Sequence, residues 1–433
     1  MGRVVAVIGI NYGDEAKGKL VDYISQEGID ISVRFNGGNN AGHSIETDSG
    51  IRHKVHLFPA SAFTPDIMCG ICNGMAVNVN SLVSEISMIQ SVNPDFRFFV
   101  DPRAHVVTPY HVFHDREEER ARGKEKIGTT QTGNGPAYGD KAARRGITLG
   151  DLTLPEKEIM DLIKESLSYK FMKDICHKEG VELKKVVTDL RKNVSLIQDY
   201  FEDGTELLNK AIDRGKSVLF AGAHGTLLDI DHGTYPNVTS SSCAIGGIGT
   251  GTGVSPRRIT EVIGVVKAYS TRVGSGFFPT EMPEEIAHVV REEGKEYGTT
   301  TGRPRRIGWI DIPTLDRASH INGCDYIALT LLDVLKVVSA IKIGAAYQNK
   351  EGKISYSVPI GRHGSDEISD VVMESFKSWN KDIRGCRRFD DLPKTAQKYV
   401  KRVEELLNVP IKLISVGARR GQMIDMRRSH GCQ

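Results

Sequence analysis

The sequence predicts an α/β fold in which helices flank a large, mostly parallel β-sheet. Short apolar runs recur along the 433 residues, and longer segments with helical periodicity separate them. This alternation is typical of βα units and a parallel sheet. We expect strands at Val4–Ile8, Ile31–Phe35, Val77–Val79, Phe98–Val100, Val218–Ala221, Ile263–Tyr269, Tyr326–Leu329 and Ile411–Ser415.

The segment from residue 154 to residue 214 interrupts this pattern. It is charged and helical throughout, and it ends where "KSVLFAGA" resumes the sheet. It therefore predicts a helical insertion. No internal repeat, low-complexity tract or long Pro/Gly/Ser linker divides the chain, so we expect residues 1–433 to form one elaborated domain.

The composition indicates an ordinary soluble globular protein, with 39% apolar and 26% charged residues. The formal net charge of +2 gives no case for nucleic acid or a membrane surface as a partner. We expect no membrane span, because no apolar run approaches the required length, and no signal peptide, because the N-terminus leads straight into a strand-like run. The seven cysteines are scattered and odd in number, which favours reduced thiols and a cytoplasmic location. Cys69 and Cys72 lack a second pair of ligands, so we expect them to be small buried residues.

A glycine loop follows the first predicted strand. The stretch "GDEAKGKL" fits the phosphate-binding pattern G-x-x-x-x-G-K-[ST] as far as Lys19, but Leu20 replaces the hydroxyl residue that holds Mg²⁺. Backbone N–H groups at a helix N-terminus suit phosphate, and Lys17 and Lys19 add positive charge. Asp14 is the nearest hard oxygen donor, so we expect it to replace the missing hydroxyl as the Mg²⁺ ligand.

Glycine also clusters at six other places, with hydroxyl, amide or basic neighbours. These clusters are "TTQTGNGPAYGDKAARRG", "GTLLDIDHGTYP", "GGIGTGTG", "GSGFFPTE" and "TTTGRPRR", in addition to "NGGNNAGH" near the N-terminus. Glycine lets the backbone approach a ligand closely and turn its N–H groups toward anions. The spread of the clusters predicts a large composite ligand site.

Motifs in these clusters form an ordered series that resembles the adenylosuccinate synthetase family from about residue 3 to residue 426. It includes "GDEAKGK", "NGGNNAGHS", "GAHGTLLDIDHGTYP", "VKAYSTRVGSGFFPTE", "TTGRPRR" and "ALTLLDVL". The resemblance implies a P-loop-type α/β sheet and a homodimeric ligase that depends on GTP and Mg²⁺. Such an enzyme joins L-aspartate to C6 of IMP through a 6-phosphoryl intermediate, and it makes adenylosuccinate, GDP and phosphate in purine biosynthesis.

The resemblance also implies roles for individual residues. Asp14 matches the family's base and, with the Gly42 carbonyl, its Mg²⁺ ligands, while His43 and Lys19 complete the catalytic set. Arg144 matches an arginine that crosses the dimer interface to the 5′-phosphate. The implied GTP-binding residues are Gly13, Asp14, Glu15, Ala16, Lys17, Gly18, Lys19, Gly42, His43, Ser44, Arg305, Leu331, Asp333, Ser415 and Gly417. The implied monophosphate-binding residues are Asn40, Thr130, Arg144, His224, Thr239 and Arg303. The implied aspartate-binding residues are Thr299, Thr300, Thr301, Arg303 and Arg305.

The sequence departs from the family pattern in the predicted substrate pockets. His224 replaces a glutamine that faces the purine, and Leu331 replaces a lysine over the guanine, whereas Asp333 is kept. Gln131 and Thr132 stand where the family has Gly-Arg, so one positive charge is lost. These changes leave open GMP or dGMP as the acceptor, as in a branch that makes a 2-aminoadenine precursor, and ATP as the donor.

Asp14 bears on the choice between these acceptors, and a set of five residues bears on whether the chain is catalytic. The (d)GMP branch often replaces the base aspartate by a smaller residue, so the retention of Asp14 favours IMP. A catalytically inactive nucleotide-binding regulator is a further alternative. It does not explain why a base, a phosphate clamp and a carboxylate clamp are all present, at Asp14, Lys19, His43, Arg303 and Arg305.

Overall fold

The structure, a computed structural model, describes residues 2–123, 126–166, 182–298, 302–359 and 364–427. It confirms the predicted α/β class, because these residues form a nine-stranded, mostly parallel sheet with helices on both faces. The strands are β1 (Val4–Gly9), β2 (Ile31–Arg34), β3 (His43–Glu46), β4 (Arg52–Val55), β5 (Met68–Ile71), β6 (Ala76–Val77), β7 (Arg97–Val100), β8 (His105–Val106), β9 (Val218–Ala221), β10 (Glu261–Lys267), β11 (Ser270–Arg272), β12 (Arg306–Gly308), β13 (Ile310–Asp311), β14 (Tyr326–Thr330), β15 (Ala340–Asn349), β16 (Ile354–Ser355), β17 (Ile368–Lys377), β18 (Ile411–Ser415) and β19 (Met423–Asp425).

The α-helices of the described residues alternate with these strands over most of the chain. They are α1 (Lys17–Ser25), α2 (Val79–Val92), α3 (Pro109–Arg122), α4 (Asn134–Ala142), α5 (Glu156–Ser166), α6 (Leu183–Val194), α7 (Gly204–Asp213), α8 (Gly246–Thr252), α9 (Glu284–Gly294), α10 (Ile312–Asn322) and α11 (Lys394–Leu407). None of them is long and apolar enough to cross a membrane.

Strand β1 lies inside the large sheet and divides the core into two layers. The strand order is β19-β18-β14-β10-β1-β9-β2-β5-β7, and only β19 runs antiparallel to its neighbour. Val5 and Val7 of β1 pack into a core that includes residues of α1 and α2, whereas Ala6 and Ile8 pack on the other face with Leu208 of α7. Both faces of β1 are therefore buried, which explains its continuous apolar run.

One predicted strand is misplaced. Of the run Val77–Val79, only Val77 lies in a short strand, because the Asn78 side chain accepts a hydrogen bond from the Ser81 N–H and starts α2. The strand that joins the large sheet at this place is β5, Met68–Ile71, which sequence analysis did not predict. At Gly70 a Cβ would lie 2.3 Å from the Phe99 ring, so the glycine permits close packing between β5 and β7. Cys69 and Cys72 are buried thiols, as expected.

The predicted helical insertion is confirmed over the described part of residues 154–214. Helices α5, α6 and α7 occupy it, and residues 167–181 lie outside the described residues. Ile159, Val187 and Leu190 of the insertion are buried in the same core as α1 and α2. The insertion therefore extends that core.

The parallel strands direct their carboxyl ends to one edge of the large sheet. The loop after β1, the loop after β9 and the end of β10 meet at this edge. Ligands of open α/β sheets bind at the carboxyl edge, so the fold places the predicted glycine loop where a ligand is expected.

Candidate active site

A cavity of about 430 Å³ opens at this edge of the sheet. Its size is typical of a small-molecule site, and distant parts of the chain form its wall, in agreement with a composite ligand site. The predicted site residues that line it are Gly13, Asp14, Glu15, Ala16, Lys17, Gly18, Asn40, Gly42, His43, Ser44, Thr130, His224, Thr239, Arg303, Arg305 and Leu331. Five other predicted residues belong to the described part of the chain but do not line the cavity, namely Lys19, Arg144, Asp333, Ser415 and Gly417. The predicted aspartate ligands Thr299, Thr300 and Thr301 lie outside the described residues.

A buried carboxylate shapes the glycine loop between β1 and α1. Glu15 Oε1 accepts hydrogen bonds from the backbone N–H groups of Asn11 at 3.1 Å and Gly13 at 2.8 Å. Glu15 Oε2 is paired with Lys17 Nζ at 2.5 Å. The backbone φ is positive at Gly13 (82°) and at Ala16 (62°), and α1 begins at Lys17. Glu15 therefore builds the loop, whereas Lys17 brings an ammonium group to the cavity wall.

Lys19 makes a different set of contacts from those that the motif predicts. Its Nζ donates hydrogen bonds to Ser415 Oγ at 2.7 Å and to the carbonyl oxygens of Gly417 at 2.6 Å and Gln422 at 2.8 Å. These acceptors use all three hydrogens of the ammonium group. Burial lowers the pKa of Lys19 to about 7, and the charge of Asp333 opposes this shift. The side chain thus ties α1 to the chain segment between β18 and β19.

A network of charged side chains leads from Asp14 into the protein. Asp14 Oδ2 is ion-paired with Arg305 Nε at 2.9 Å, and Arg305 Nη1 donates to Glu296 Oε2 at 2.5 Å. Glu296 Oε1 accepts from Lys267 Nζ at 2.7 Å and from the Tyr269 hydroxyl at 2.5 Å. Burial would raise the pKa of Glu296, but Lys267 and Arg305 hold it below its ordinary value. The network therefore fixes Arg305 beside Asp14 at the cavity wall.

His43 begins β3 and is buried at the cavity wall. Nη1 of Arg34, the last residue of β2, lies 3.3 Å from His43 Nδ1. Burial lowers the pKa of His43 well below its ordinary value, and the positive charges of Arg34 and Lys17 lower it further. The imidazole is therefore neutral at neutral pH.

The predicted monophosphate residues contact one another and the neighbouring loops. Asn40 Nδ2 donates to Thr239 Oγ1 at 3.2 Å. Arg303 Nη2 donates to the carbonyl oxygens of residues 128 and 129, at 2.7 and 3.2 Å, directly before Thr130. The loop that carries Thr130 and the loop that carries Arg303 are thus joined at the cavity.

His224 and Arg144 differ in their surroundings. Burial lowers the pKa of His224 to about 3, with further effects of Lys17 and Arg34, so this ring is also neutral. Arg144 is exposed just after α4, with a φ of 59°. Its position leaves the guanidinium on the protein surface.

The residues that are predicted to bind guanine follow β14. Leu331 has a φ of 52° and lines the cavity, and the half-buried Asp333 lies two residues further along the chain. Burial raises the pKa of Asp333, and Lys19 opposes this shift. Ser415 and Gly417 lie at the neighbouring end of β18, where Lys19 binds them.

Sequence analysis missed several residues that organise the cavity. Glu119 is buried and accepts hydrogen bonds from the backbone N–H groups of residues 127–129, at 3.1, 2.9 and 3.3 Å. It stands in the charged run "REEERAR", which gives no sign of a buried carboxylate. Lys267 and Glu296 are also buried at the wall. A signal was present for Lys267, because this charged residue directly follows the buried run of residues 262–266 in β10.

The adenylosuccinate synthetase family model matches residues 6–424 of the chain. The chain belongs to the adenylosuccinate synthetase family. It is 42% identical to the adenylosuccinate synthetase of Caldanaerobacter subterraneus subsp. tengcongensis over 98% of this chain and 99% of the relative. It is likewise 42% identical to an adenylosuccinate synthetase of Bacillus cereus, over 96% of this chain and 97% of the relative.

Two solved structures resemble the fold. The fully ligated adenylosuccinate synthetase from Plasmodium falciparum has a TM-score of 0.92 at 37% identity, over 98% of this chain and 100% of that chain. The succinoaminodeoxyadenylate synthetase of cyanophage S-2L, bound to dGMP and dATP, has a TM-score of 0.63 at 17% identity, over 98% and 96%. The second likeness concerns the fold alone. The comparisons confirm the predicted family: the chain is a nucleotide-dependent ligase of purine biosynthesis that forms a C–N bond.

Proposed function

We propose that this chain joins L-aspartate to C6 of IMP, with GTP as the phosphoryl donor and GDP and inorganic phosphate as the other products. The observation that carries the proposal is the convergence of Asp14, Lys17, His43, Arg303 and Arg305 on one cavity. A carboxylate, an ammonium group, a neutral imidazole and two guanidinium groups match the needs of a phosphoryl transfer that is followed by amine addition.

The leaving group determines the order of the steps. Oxide cannot leave C6 directly, so O6 must first become a phosphate ester. Asp14 takes the proton from ring N1, and the charge that moves to O6 attacks the γ-phosphate. Lys17 and the N–H group of His43 stabilise the transferring phosphoryl group. The amine of aspartate then adds to C6, and the 6-phosphate leaves as inorganic phosphate.

Aspartate needs cations for its two carboxylates. Arg303 and Arg305 supply planar donor pairs of the kind that binds both oxygens of a carboxylate. The resemblance adds Thr299, Thr300 and Thr301 to this pocket. Since Arg303 also holds the loop before Thr130, we infer that the aspartate and monophosphate pockets form together.

Magnesium fits the oxygen donors of two loops at the cavity wall, the glycine loop that carries Asp14 and the loop before β3 that carries Gly42. The described residues contain no group of three His, Cys, Asp or Glu side chains that could hold a metal without other ligands. Mg²⁺ commonly takes one or two protein oxygens together with phosphates and water. Asp14 and the Gly42 carbonyl would hold the ion, which would neutralise charge on the phosphates of GTP.

The donor nucleotide is proposed to be GTP rather than ATP. Asp333 would accept hydrogen bonds from N1 and the 2-amino group of guanine, whereas adenine offers an acceptor at N1. A partly buried carboxylate without a partner costs about 1–3 kcal/mol. Leu331 provides no cation over the base, a contribution of about 0.5–2 kcal/mol in a lysine-bearing relative. We therefore expect ATP to be a measurable but poor substitute.

We also propose an oligomeric state and a cellular location for the chain. We propose a homodimer in which the surface residue Arg144 reaches the 5′-phosphate in the neighbouring subunit. The exposure of Arg144 supports this role. We propose a cytoplasmic location, which the free thiols of the described cysteines support.

The decisive experiment measures kcat/KM for IMP, GMP and dGMP, each with GTP and with ATP, in the presence of aspartate. We expect IMP with GTP to be the best pair. A higher value for GMP or dGMP would establish the alternative suggested by His224 and Leu331. An ATP value equal to that of GTP would contradict the guanine contacts of Asp333. No turnover with any pair would favour a nucleotide-binding regulator.

A further inference from the structure

Arg34 is a buried cation, and the packing of the core does not explain why a charged residue stands there. It ends β2, is 0% exposed, and its Nε and Nη2 atoms make no hydrogen bond with any residue that the structure describes. Burial of a guanidinium group without such partners is costly, and an apolar side chain of similar size would avoid this cost. The contact that Nη1 makes with His43 indicates what the cation does there.

The chemistry of arginine decides the direction of that contact. The distance from Arg34 Nη1 to His43 Nδ1 is 3.3 Å. A guanidinium group has five donors and no acceptor, so Arg34 donates and His43 Nδ1 accepts. A neutral imidazole carries one N–H group, which must then be on Nε2. His43 lines the cavity, and its Nε2 makes no hydrogen bond with the described residues.

The loop that follows β2 encloses this contact. Gly37 has a φ of 79°, and a Cβ there would lie 2.8 Å from the Ala223 Cβ and 3.7 Å from Arg34 Nη2. The Gly37 N–H donates to the Tyr138 hydroxyl at 3.0 Å, and this hydroxyl donates to the Gly74 carbonyl at 2.7 Å, which holds the loop in place. The glycine therefore lets the backbone pass close to Ala223 and Arg34, and both Arg34 and His43 are buried beside it.

We propose that Arg34 is a positioning residue that fixes His43 as the Nε2–H tautomer. His43 then presents a permanent hydrogen-bond donor to the cavity. In the proposed reaction this N–H group stabilises charge on the transferring phosphoryl group and keeps its proton, because the N–H group of a neutral imidazole is a very weak acid. The catalytic consequence rests on the proposed function, whereas the tautomer rests on the geometry alone.

The test reads the tautomer directly, by nitrogen NMR of the protein with isotope-labelled histidine. The chain has 13 histidines, so a His43→Asn variant identifies the His43 signals by their loss. We expect a protonated Nε2 and an unprotonated Nδ1 in the wild type. Arg34→Met should give a mixture of tautomers, and Arg34→Lys, which also only donates, should restore the wild-type pattern in part.

Kinetics and melting separate this role from a structural one. Arg34→Met should lower kcat about tenfold or more with little change in the KM for IMP, since a donor to the transition state is no longer held. It should not lower the melting temperature, because it removes a buried charge. The matched control is Arg97→Met, which removes an exposed arginine at the start of β7.

Two results would overturn the proposal. One is a wild-type His43 with its hydrogen on Nδ1, and this result does not depend on the folding of any Arg34 variant. The other is an unchanged His43 tautomer in folded Arg34→Met. A wild-type protein that fails to use IMP would contradict the proposed function instead, and the NMR spectrum would still decide the tautomer.

Discussion

Asp14 Oδ2 lies 2.9 Å from Arg305 Nε, so the proposed base and a proposed aspartate ligand form an ion pair with each other. Arg305 also binds Glu296, and its side chain is 9% exposed. The guanidinium group therefore already serves two carboxylates when a substrate carboxylate approaches. Binding of aspartate and the freedom of Asp14 to act as a base should consequently be linked through this one side chain.

Replacement of Arg305 tests this link. Arg305→Leu should raise the KM for aspartate and also lower kcat, because the aspartate pocket loses a cation and Asp14 loses its partner. The control is Arg306→Leu, because Arg306 forms its ion pair with the exposed Glu281. Steady-state kinetics with varied aspartate should show the combined change in Arg305→Leu only. A change in KM with unaltered kcat would mean that Asp14 does not depend on Arg305.

Asp14 itself should be essential for turnover. Asp14→Asn removes the proposed base, which should lower kcat by about 10²–10⁴-fold, and it also weakens the proposed Mg²⁺ site. The side chain is 31% exposed, so the fold should be retained. Turnover and thermal melting are measured on the same preparation. Activity close to that of the wild type would remove Asp14 from both roles.

The two lysines of the glycine loop should behave differently. Lys17→Met should lower kcat with GTP, because Lys17 is the ammonium group at the cavity wall. Lys19→Met leaves three buried acceptors without a donor and should cost about 1–3 kcal/mol of unfolding free energy, or more. Lys17→Met also leaves the buried Glu15 carboxylate without its ion-pair partner, so both variants should unfold at lower urea concentrations, and the kcat of the folded protein distinguishes the two. A stable Lys19→Met protein without activity would support the catalytic role that the motif predicts.

Shared active sites should be visible as complementation. If Arg144 serves the neighbouring subunit, mixtures of inactive Arg144→Leu and inactive Asp14→Asn subunits should regain activity, because a hybrid dimer contains one intact site. Subunit exchange is followed separately with differently tagged chains. Proven exchange without recovery of activity would contradict a site that two subunits share.

Sequence reasoning reached the parts of the fold and site that local patterns encode. Apolar alternation located β1 and β9, and spacing located the glycine loop. Spacing cannot tell, however, which of the two lysines lines the cavity. Lys17 pairs with Glu15 at the cavity wall, whereas Lys19 binds Gly417, far along the chain. The strand Met68–Ile71 was missed because its cysteine and glycine lack strong strand preference.

Contacts between distant residues were beyond a single sequence. The run that contains Glu119 reads as a solvated helix face, yet this carboxylate is buried against the backbone of residues 127–129. Glu296 acquires Lys267 and Arg305 as partners only when β10 and the loop before β12 come together, whereas Arg34 and His43 are nine residues apart and meet across the loop between β2 and β3. Neither residue has a local motif that marks it.

The 6-phosphoryl intermediate is tested most directly by following the 6-oxygen of IMP. IMP labelled at this atom with a heavy oxygen isotope is incubated with the protein, GTP, Mg²⁺ and aspartate, and the inorganic phosphate is analysed by mass spectrometry. O6 attacks the γ-phosphate and leaves with it, so we expect one heavy oxygen in the phosphate for each adenylosuccinate formed. Unlabelled phosphate, with adenylosuccinate present, would contradict phosphorylation of O6 and with it the roles proposed for Asp14 and His43.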